Sequence, residues 1–270
     1  MQTIRVISWN IRAGGGKRVE GILSQLLKWQ ADIIGLCEFR GTPASKWLAV
    51  ELEEAGYLHQ ISSVNPVLPA KNALLLASRM PLKRMRLKRM PTLAERWILA
   101  RVQEPPGIAI GLMHAPNYTR PELKYPFLEA VVETVHHWRS GPGLIMGDTN
   151  CGKPGIDEEN PFFGPFQREQ AFMESMETHR WMDSFRVLHG DKREYTWYSH
   201  RQNGFRLDHS FCNPMLLPGI KSFSHAWGID PSTPDRRASL SDHAAVILEF
   251  DPDRMESRRG LQRTDTTTTG

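Results

Sequence analysis

Four short polar fragments of this chain hold more acid, amide and imidazole groups than folding alone requires. They are Ser8-Trp9-Asn10, Cys37-Glu38, Gly147-Asp148-Thr149-Asn150 and Ser241-Asp242-His243. Three of them close an apolar run, and the fourth opens the run 244–250. Gathered in one place, they offer hard oxygen ligands and a titratable base, a set suited to Mg²⁺ and phosphates rather than to zinc or thiol chemistry. Phosphodiester cleavage needs a positioned water, charge neutralisation on the non-bridging oxygens and help for the leaving alkoxide. Glu38 and Asp242 are candidate Mg²⁺ ligands, with Asn10 as a neutral oxygen ligand or a partner of the ligands. Asp148 could take the water's proton, while the Asn150 amide donates to a phosphate oxygen or orients that water. His243 could act as a charged donor if a carboxylate fixes its tautomer and raises its pKa, and Asp208 is the acid best placed for that. Each residue taken singly has a plainer role: Asn10 in a turn, Asp148 and Asn150 in an Asx-turn, Asp242 as a cap.

These groups need elements to position them. The apolar runs have the length and β-branched content of buried strands, which puts the polar residues at strand ends. Strands are expected over 4–8, 33–37, 73–78, 83–88, 98–102, 108–114, 144–147, 195–198, 207–213 and 244–250. Apolar residues at helical spacing predict an amphipathic helix over 19–29. Further helices are expected over 45–55, with Gly56 as a stop, over 125–138, over 167–177, and as the end of a second helix over 181–188. Pro105-Pro106-Gly107 reads as a turn. The loop 152–165 is long enough to be functional. About ten strands with intervening helices, and no helix between 73 and 114, favour two packed sheets with helices outside over a single doubly wound sheet.

Composition narrows the rest. The 270 residues show no repeat, no central linker and no apolar stretch able to cross a bilayer, so one domain over 1–251 is expected, followed by a disordered basic and Thr-rich tail over 252–270. The N-terminus opens into a strand pattern rather than a signal peptide. Cys37, Cys151 and Cys212 are few, odd in number and without a CxxC pair, which suits buried thiols in a reducing cytoplasm. The net charge of +4 is compatible with a polyanionic partner. Between Arg79 and Arg89 there are six cations and no acid, either a solvated edge strand or a phosphate-facing stripe.

The sequence resembles the endonuclease/exonuclease/phosphatase superfamily, within it the branch of exonuclease III and the abasic-site endonucleases. The resemblance runs from Ile4 to Phe250. It rests on Trp9-Asn10, Glu38, Gly147-Asp148-Thr149-Asn150, Arg206-Leu207-Asp208 and Ser241-Asp242-His243, in the family's order. The segments Trp181 to Arg186 and Thr196 to Arg201 carry the branch. It implies a deoxyribonuclease I-like four-layer α/β sandwich, phosphoester hydrolysis, dependence on Mg²⁺ or Mn²⁺, and DNA as substrate. By it, Asn10, Glu38 and Asp242 lie at the metal, Asp148 and Asn150 at the nucleophile, and Asp208 pairs with His243.

One segment departs from that branch. In Met113-His114-Ala115-Pro116-Asn117, His114 stands where the abasic-site enzymes place a Tyr. Here the chain is similar instead to deoxyribonuclease I and sphingomyelinase-type members, which implies a His for the phosphate or the leaving group. An imidazole can serve as general acid near neutral pH, which a phenol does less readily; a strand-end His bonded to backbone is the plainer alternative. Trp197 and Phe205 are candidates for stacking on a base or for the core, and Arg96 for a phosphate contact or a surface ion pair. The expected function is thus a metal-dependent DNA nuclease. The alternatives are a phosphatase or phosphodiesterase acting on a phospholipid or nucleotide, and a binding protein whose site has lapsed.

Overall fold

A computed structural model of the chain describes residues 3–104, 107–160, 166, 168–228 and 239–255. Its first half runs β1 (Ile4–Asn10), α1 (Val19–Trp29), β2 (Ile33–Phe39), α2 (Pro43–Glu54), β3 (His59–Ser62), β4 (Ala73–Ser78), β5 (Leu82–Arg84), β6 (Trp97–Val102) and β7 (Ala109–His114). There follow α3 (Pro121–His136), β8 (Gly143–Asp148), α4 (Gln170–Thr178), β9 (Met182–Asp183), α5 (Ser184–His189), β10 (Trp197–Tyr198), β11 (Gly204–Phe205), β12 (Asp208–Cys212), β13 (Ile220–Ala226) and β14 (Ala245–Phe250). The strands build two six-stranded sheets, in the orders β13-β14-β1-β2-β4-β3 and β5-β6-β7-β8-β12-β9, besides the small ribbon β10-β11. Each large sheet is mixed. It has one parallel pair, β1 with β2 or β7 with β8, and a helix, α1 or α3, spans the connection between those two strands.

Side-chain alternation along the strands sorts the core into three layers. Val6, Ile33, Leu76, Ile98, Leu112, Leu144, Met146 and Leu248 fill the space between the sheets. Ile7, Trp9, Ile34 and Leu36 face outward against Ile22 and Leu26 of α1 and Leu48 and Leu52 of α2. On the other flank, Leu99, Met113, Ile145 and Phe211 meet Phe127, Leu128 and Val131 of α3 and Phe172 and Met176 of α4. The result is a four-layer sandwich of two packed mixed sheets flanked by helices, the expected α/β architecture.

Several boundaries differ from expectation for local reasons. The basic strand expected over 83–88 is only Leu82–Arg84, because Met85 and Leu87 turn to pack beneath the α3 layer. Helix α3 starts four residues early, with Pro121 in its first turn, where a missing N–H costs nothing. The segment 181–188 is a two-residue strand followed by α5, whose start is capped by Asp183 accepting from the N–H groups of Phe185 and Arg186. Strand β13 escapes sequence detection because most of its seven residues lie outside the core. The free cysteines are all buried, as expected. Pro252–Arg254 form a 3₁₀ turn, while the expected disorder of the rest of the tail, the turn at 105–106 and the loop segment 161–165 lie outside the described residues. No helix among the described residues is long and apolar enough to cross a membrane.

Candidate active site

The inward-facing rows of β1, β7, β8 and β12 are apolar along most of their length and turn polar at one end. Asn10 continues the row Ile4, Val6; His114 continues Ile110, Leu112; Asp148 continues Leu144, Met146; and Asp208 precedes Cys212 by four residues. Register completes the gathering, since Asp148 is the direct partner of both His114 on β7 and Asp208 on β12. Asp148 is thereby buried among strand ends. Gly147, just before it, has φ 138°, and a Cβ there would lie 1.9 Å from the Met113 carbonyl oxygen, so no side chain is admissible at that position.

Each oxygen of Asp148 has a neutral donor. Asn10 Nδ2 donates to Oδ2 at 3.0 Å, and the Asn150 N–H donates to Oδ1 at 3.0 Å. The nearest cationic candidates stand further off, His114 Nε2 at 3.6 Å and His243 Nε2 at 4.0 Å from Oδ2. Burial therefore raises the Asp148 pKa to about 7, helped by the Asp208 charge and opposed by His243 and Asn10. For His243 burial alone would lower the pKa; the Asp208 and Asp148 charges, with the 2.8 Å bond between Nδ1 and Asp208 Oδ2, overcome it and raise the value to about 10. His243 is thus an imidazolium at neutral pH.

His114 behaves oppositely. Its pKa is held well below the usual imidazole value, by burial first and then by the charges of Arg96 and His243. Arg96 Nη1 lies 3.0 Å from its Nδ1, and a guanidinium can only donate, so Nδ1 accepts and the proton sits on Nε2. That N–H points toward Asp148 and toward Glu38, whose Oε1 is 4.0 Å away. Asn150 adopts φ 49° and donates from Nδ2 to the Ala115 carbonyl at 2.9 Å.

Glu38 owes its position to a β-bulge. The pairing of β2 with β4 shifts register between Cys37 and Phe39, and Glu38 takes φ 59°. Three oxygens then converge on one turn: Glu38 Oε2 accepts the Ala13 N–H at 2.6 Å, Asn10 Oδ1 accepts the Arg12 N–H at 3.0 Å, and Asp242 Oδ2 is 4.0 Å from Arg12 Nε. Arg18 also feels both acids, although burial and Arg12 leave its pKa lowered. This all-oxygen set suits a hard divalent cation. Among the described residues a second group, Asp148, Asp208 and His243, has ligand atoms within 4.8 Å of one another and could hold a metal. In that group Asp208 Oδ2 already binds His243 Nδ1 and Asp148 Oδ2 accepts from Asn10, whereas the Asn10, Glu38 and Asp242 set expected from sequence offers oxygens alone.

Above these groups opens a cleft of about 1840 Å³, lined by Glu38, Arg96, His114, Asp148, Asn150 and His243 and also by Trp197 and Phe205. The Trp197 ring lies 6.4 Å from that of His243 and 5.8 Å from that of Phe205, so it is both a core neighbour and a cleft wall. Asp208 lies beneath the site, buried behind His243, while Asp242 stays partly exposed at its margin.

Sequence reasoning placed Trp9, Ser241 and Thr196 within its motifs but gave them no role, and they hold these groups. The Trp9 indole N–H donates to the His243 carbonyl at 2.9 Å, and Ser241 Oγ to the Asn10 carbonyl at 2.5 Å. Thr196 Oγ1 accepts from the N–H groups of Leu207 and Asp208, while its carbonyl accepts from Ala244, fastening Asp208 and His243 to one another. Lys124 was missed as well, although it falls on the apolar face of α3 in line with Phe127, Leu128 and Val131.

No curated protein matches the chain. Among solved structures, a variant of the 3′ phosphatase NExo from Neisseria bound to a product DNA hairpin superposes with a TM-score of 0.76 at 21% identity, covering 92% of this chain and 99% of that one. NExo described as a 3′-5′ exonuclease from Neisseria meningitidis gives the same TM-score and identity over 92% and 100% of the two chains. An AP endonuclease from Archaeoglobus fulgidus reaches 0.74 at 19% identity over 92% and 99%. These neighbours share the fold. The model of the Endonuclease/Exonuclease/phosphatase family matches residues 7–243, from the first strand to the last candidate catalytic residue, and the protein belongs to that family.

Proposed function

We propose that the protein is a divalent-metal-dependent phosphodiesterase that cleaves DNA. The observation that carries this reading is the juxtaposition, on a cleft floor, of a buried acid raised to about 7 and an imidazolium locked to a second acid. Opposed protonation tendencies in neighbouring groups are what acid–base chemistry on an ester requires.

Asp148, ionised, keeps lone pairs beyond its bonds to Asn10 and Asn150 with which to orient a water and accept its proton. His243 donates from Nε2 to a non-bridging oxygen, its charge maintained by Asp208. Neutral His114 donates through Nε2–H to a phosphate or leaving oxygen; with its pKa held down, it serves as a hydrogen-bond donor rather than as the general acid expected from sequence. Asn10, Glu38 and Asp242 would hold Mg²⁺ or Mn²⁺, which when bound supplies charge neutralisation at the phosphate. Trp197 offers a face on which a base can stack, and the cations Lys71, Arg120 and Arg201 line the same cleft. DNA is favoured as substrate by those features and by structural neighbours that include a 3′ phosphatase bound to a DNA product and an AP endonuclease. A cytoplasmic setting, supported by the free thiols, belongs to the same proposal.

The test is one panel: duplex DNA, abasic duplex, a 3′-phosphorylated end, single strand, RNA and a chromogenic phosphodiester, each with Mg²⁺, Mn²⁺ and chelator. Metal-dependent turnover of DNA is expected, with affinity falling steeply as salt rises, by a slope near −0.9 per phosphate contacted. Turnover confined to the small ester, with little salt dependence, would transfer the site to a small phosphorylated substrate.

A further inference from the structure

Helices α3 and α4 are tied together at both ends. At their C-terminal ends His136 Nδ1 and His179 Nδ1 lie 3.2 Å apart on the surface. At the opposite ends Lys124 and Glu169 form an ion pair at 2.7 Å with both side chains inaccessible to solvent. The first tie is an ordinary surface contact. The second is costly, since removing a lysine and a carboxylate from water costs several kcal/mol per ion and such a pair adds little net stability over apolar residues. One oxygen of Glu169 is buried without a hydrogen bond, which adds to that cost.

What the pair accomplishes lies on the other side of the ammonium group. Lys124 Nζ also donates to the Asn150 carbonyl at 2.8 Å. Asn150 is the residue whose N–H holds Asp148 Oδ1, and it does so from a left-handed backbone, φ 49°. Asparagine enters the left-handed region more readily than other non-glycine residues, so the bonds around it decide how firmly this turn is held. Three contacts fix this one: its N–H to Asp148, its side-chain amide to the Ala115 carbonyl, and its carbonyl to Lys124. The first two link it to β7 and β8 strand-end residues, whereas Lys124 braces it from the helical layer.

We propose that Lys124, held by Glu169, is a positioning residue for the reaction: it clamps the Asn150 turn and so sets the orientation of the Asp148 carboxylate. The role rests on Asp148 acting as proposed above, but its structural half does not. Among the described residues the Lys124 side chain hydrogen-bonds Glu169 and the Asn150 carbonyl, so its loss should affect the chemical step more than substrate binding.

The test compares the full-length protein with Lys124→Met/Glu169→Leu, which replaces the whole pair by apolar side chains, and with Glu169→Gln, which leaves the lysine donor in place. In the double variant the melting temperature is expected within a few degrees of wild type, with kcat on DNA reduced at least tenfold and KM changed less than twofold. Glu169→Gln is expected to retain kcat within about threefold. Hydrogen exchange over residues 148–151 provides a readout that needs no substrate: the double variant should lose protection at the Asn150 amide, and Glu169→Gln should keep it. A folded double variant with unchanged kcat, or with unchanged Asn150 protection, overturns the clamp. If the wild-type protein turns over no phosphoester while exchange changes as expected, the clamp stands and the assigned activity is what fails.

Discussion

Two buried charged clusters lie on either side of Leu207, and they are built on opposite terms. Around Arg206 every carboxylate has a cation in contact: Nε bonds Asp157 at 2.8 Å, Nη2 bonds Asp183 at 2.7 Å, and His209 and Arg186 supply further contacts. Although burial opposes it, the Asp183 and Asp157 pKa values are both lowered by Arg206 and its neighbours. Around Asp148 the contacts are neutral amides, a second acid stands close by, and burial wins, so the pKa rises. The first cluster is balanced internally and serves as scaffold. In the second the Asp148 equilibrium is displaced toward neutral pH, where it is useful to a reaction, and His243 is kept charged beside it. Equal burial therefore does not imply equal role; what separates the two is whether charge is matched within the fold.

The comparison can be broken at its centre. Asp148→Asn and His243→Ala are each expected to reduce kcat by at least 10³-fold with the fold intact. In chelator, wild-type stability should fall as pH rises from about 4 through about 7, since an acid whose folded pKa lies above its unfolded value destabilises the fold once ionised, and Asp148→Asn should flatten that fall. Arg206→Met should behave in the reverse manner. It leaves Asp157 and Asp183 without their central cation and is expected to cost about 3–5 kcal/mol in urea unfolding. If Asp148→Asn destabilises as much as Arg206→Met, the distinction is lost.

pH sharpens the same contrast. Asp157 and Asp183 have folded pKa values below their unfolded ones, so their stabilisation is complete above about pH 4 and is lost as pH falls through the folded values. The gap in urea midpoint between wild type and Arg206→Met should thus be wide at pH 7 and narrower at pH 3. A gap that widens in acid would contradict the assignment.

Smaller effects are expected at the margins of the site. Glu38→Gln should raise the Mg²⁺ concentration for half-maximal activity about tenfold, read by metal titration, with much of kcat regained at saturation. Trp197→Ala should raise KM for DNA several-fold and leave turnover of a chromogenic ester unchanged. An equal loss on both substrates would make Trp197 a core residue that merely borders the cleft.

Much of this was legible in the chain. Apolar runs of strand length located β1, β2, β8 and β14 and put Asn10, Glu38, Asp148 and His243 at or beside their ends, because local alternation carries that information. The pairing of Asp208 with His243 was also expected, and the two meet at 2.8 Å. Other features were hidden for identifiable reasons. Lys124 lies one residue before the expected start of α3, so its place on the apolar face went unread. Strand β13 lacks an apolar row, and the pair Met182–Asp183 is too short to have a period.

By itself, then, the order of residues determined which segments become strands and helices, which polar groups stand at their ends, and which family the chain resembles. These are properties of neighbours in sequence, expressed through backbone geometry and side-chain alternation. Only the tertiary structure decided which histidine is charged and which is neutral, that Asp148 is raised while Asp183 is lowered, and that a lysine from the outer helical layer reaches Asn150. Those outcomes depend on burial and on the distance between groups far apart in the chain, and electrostatic energy at a few ångströms has no counterpart in local sequence pattern.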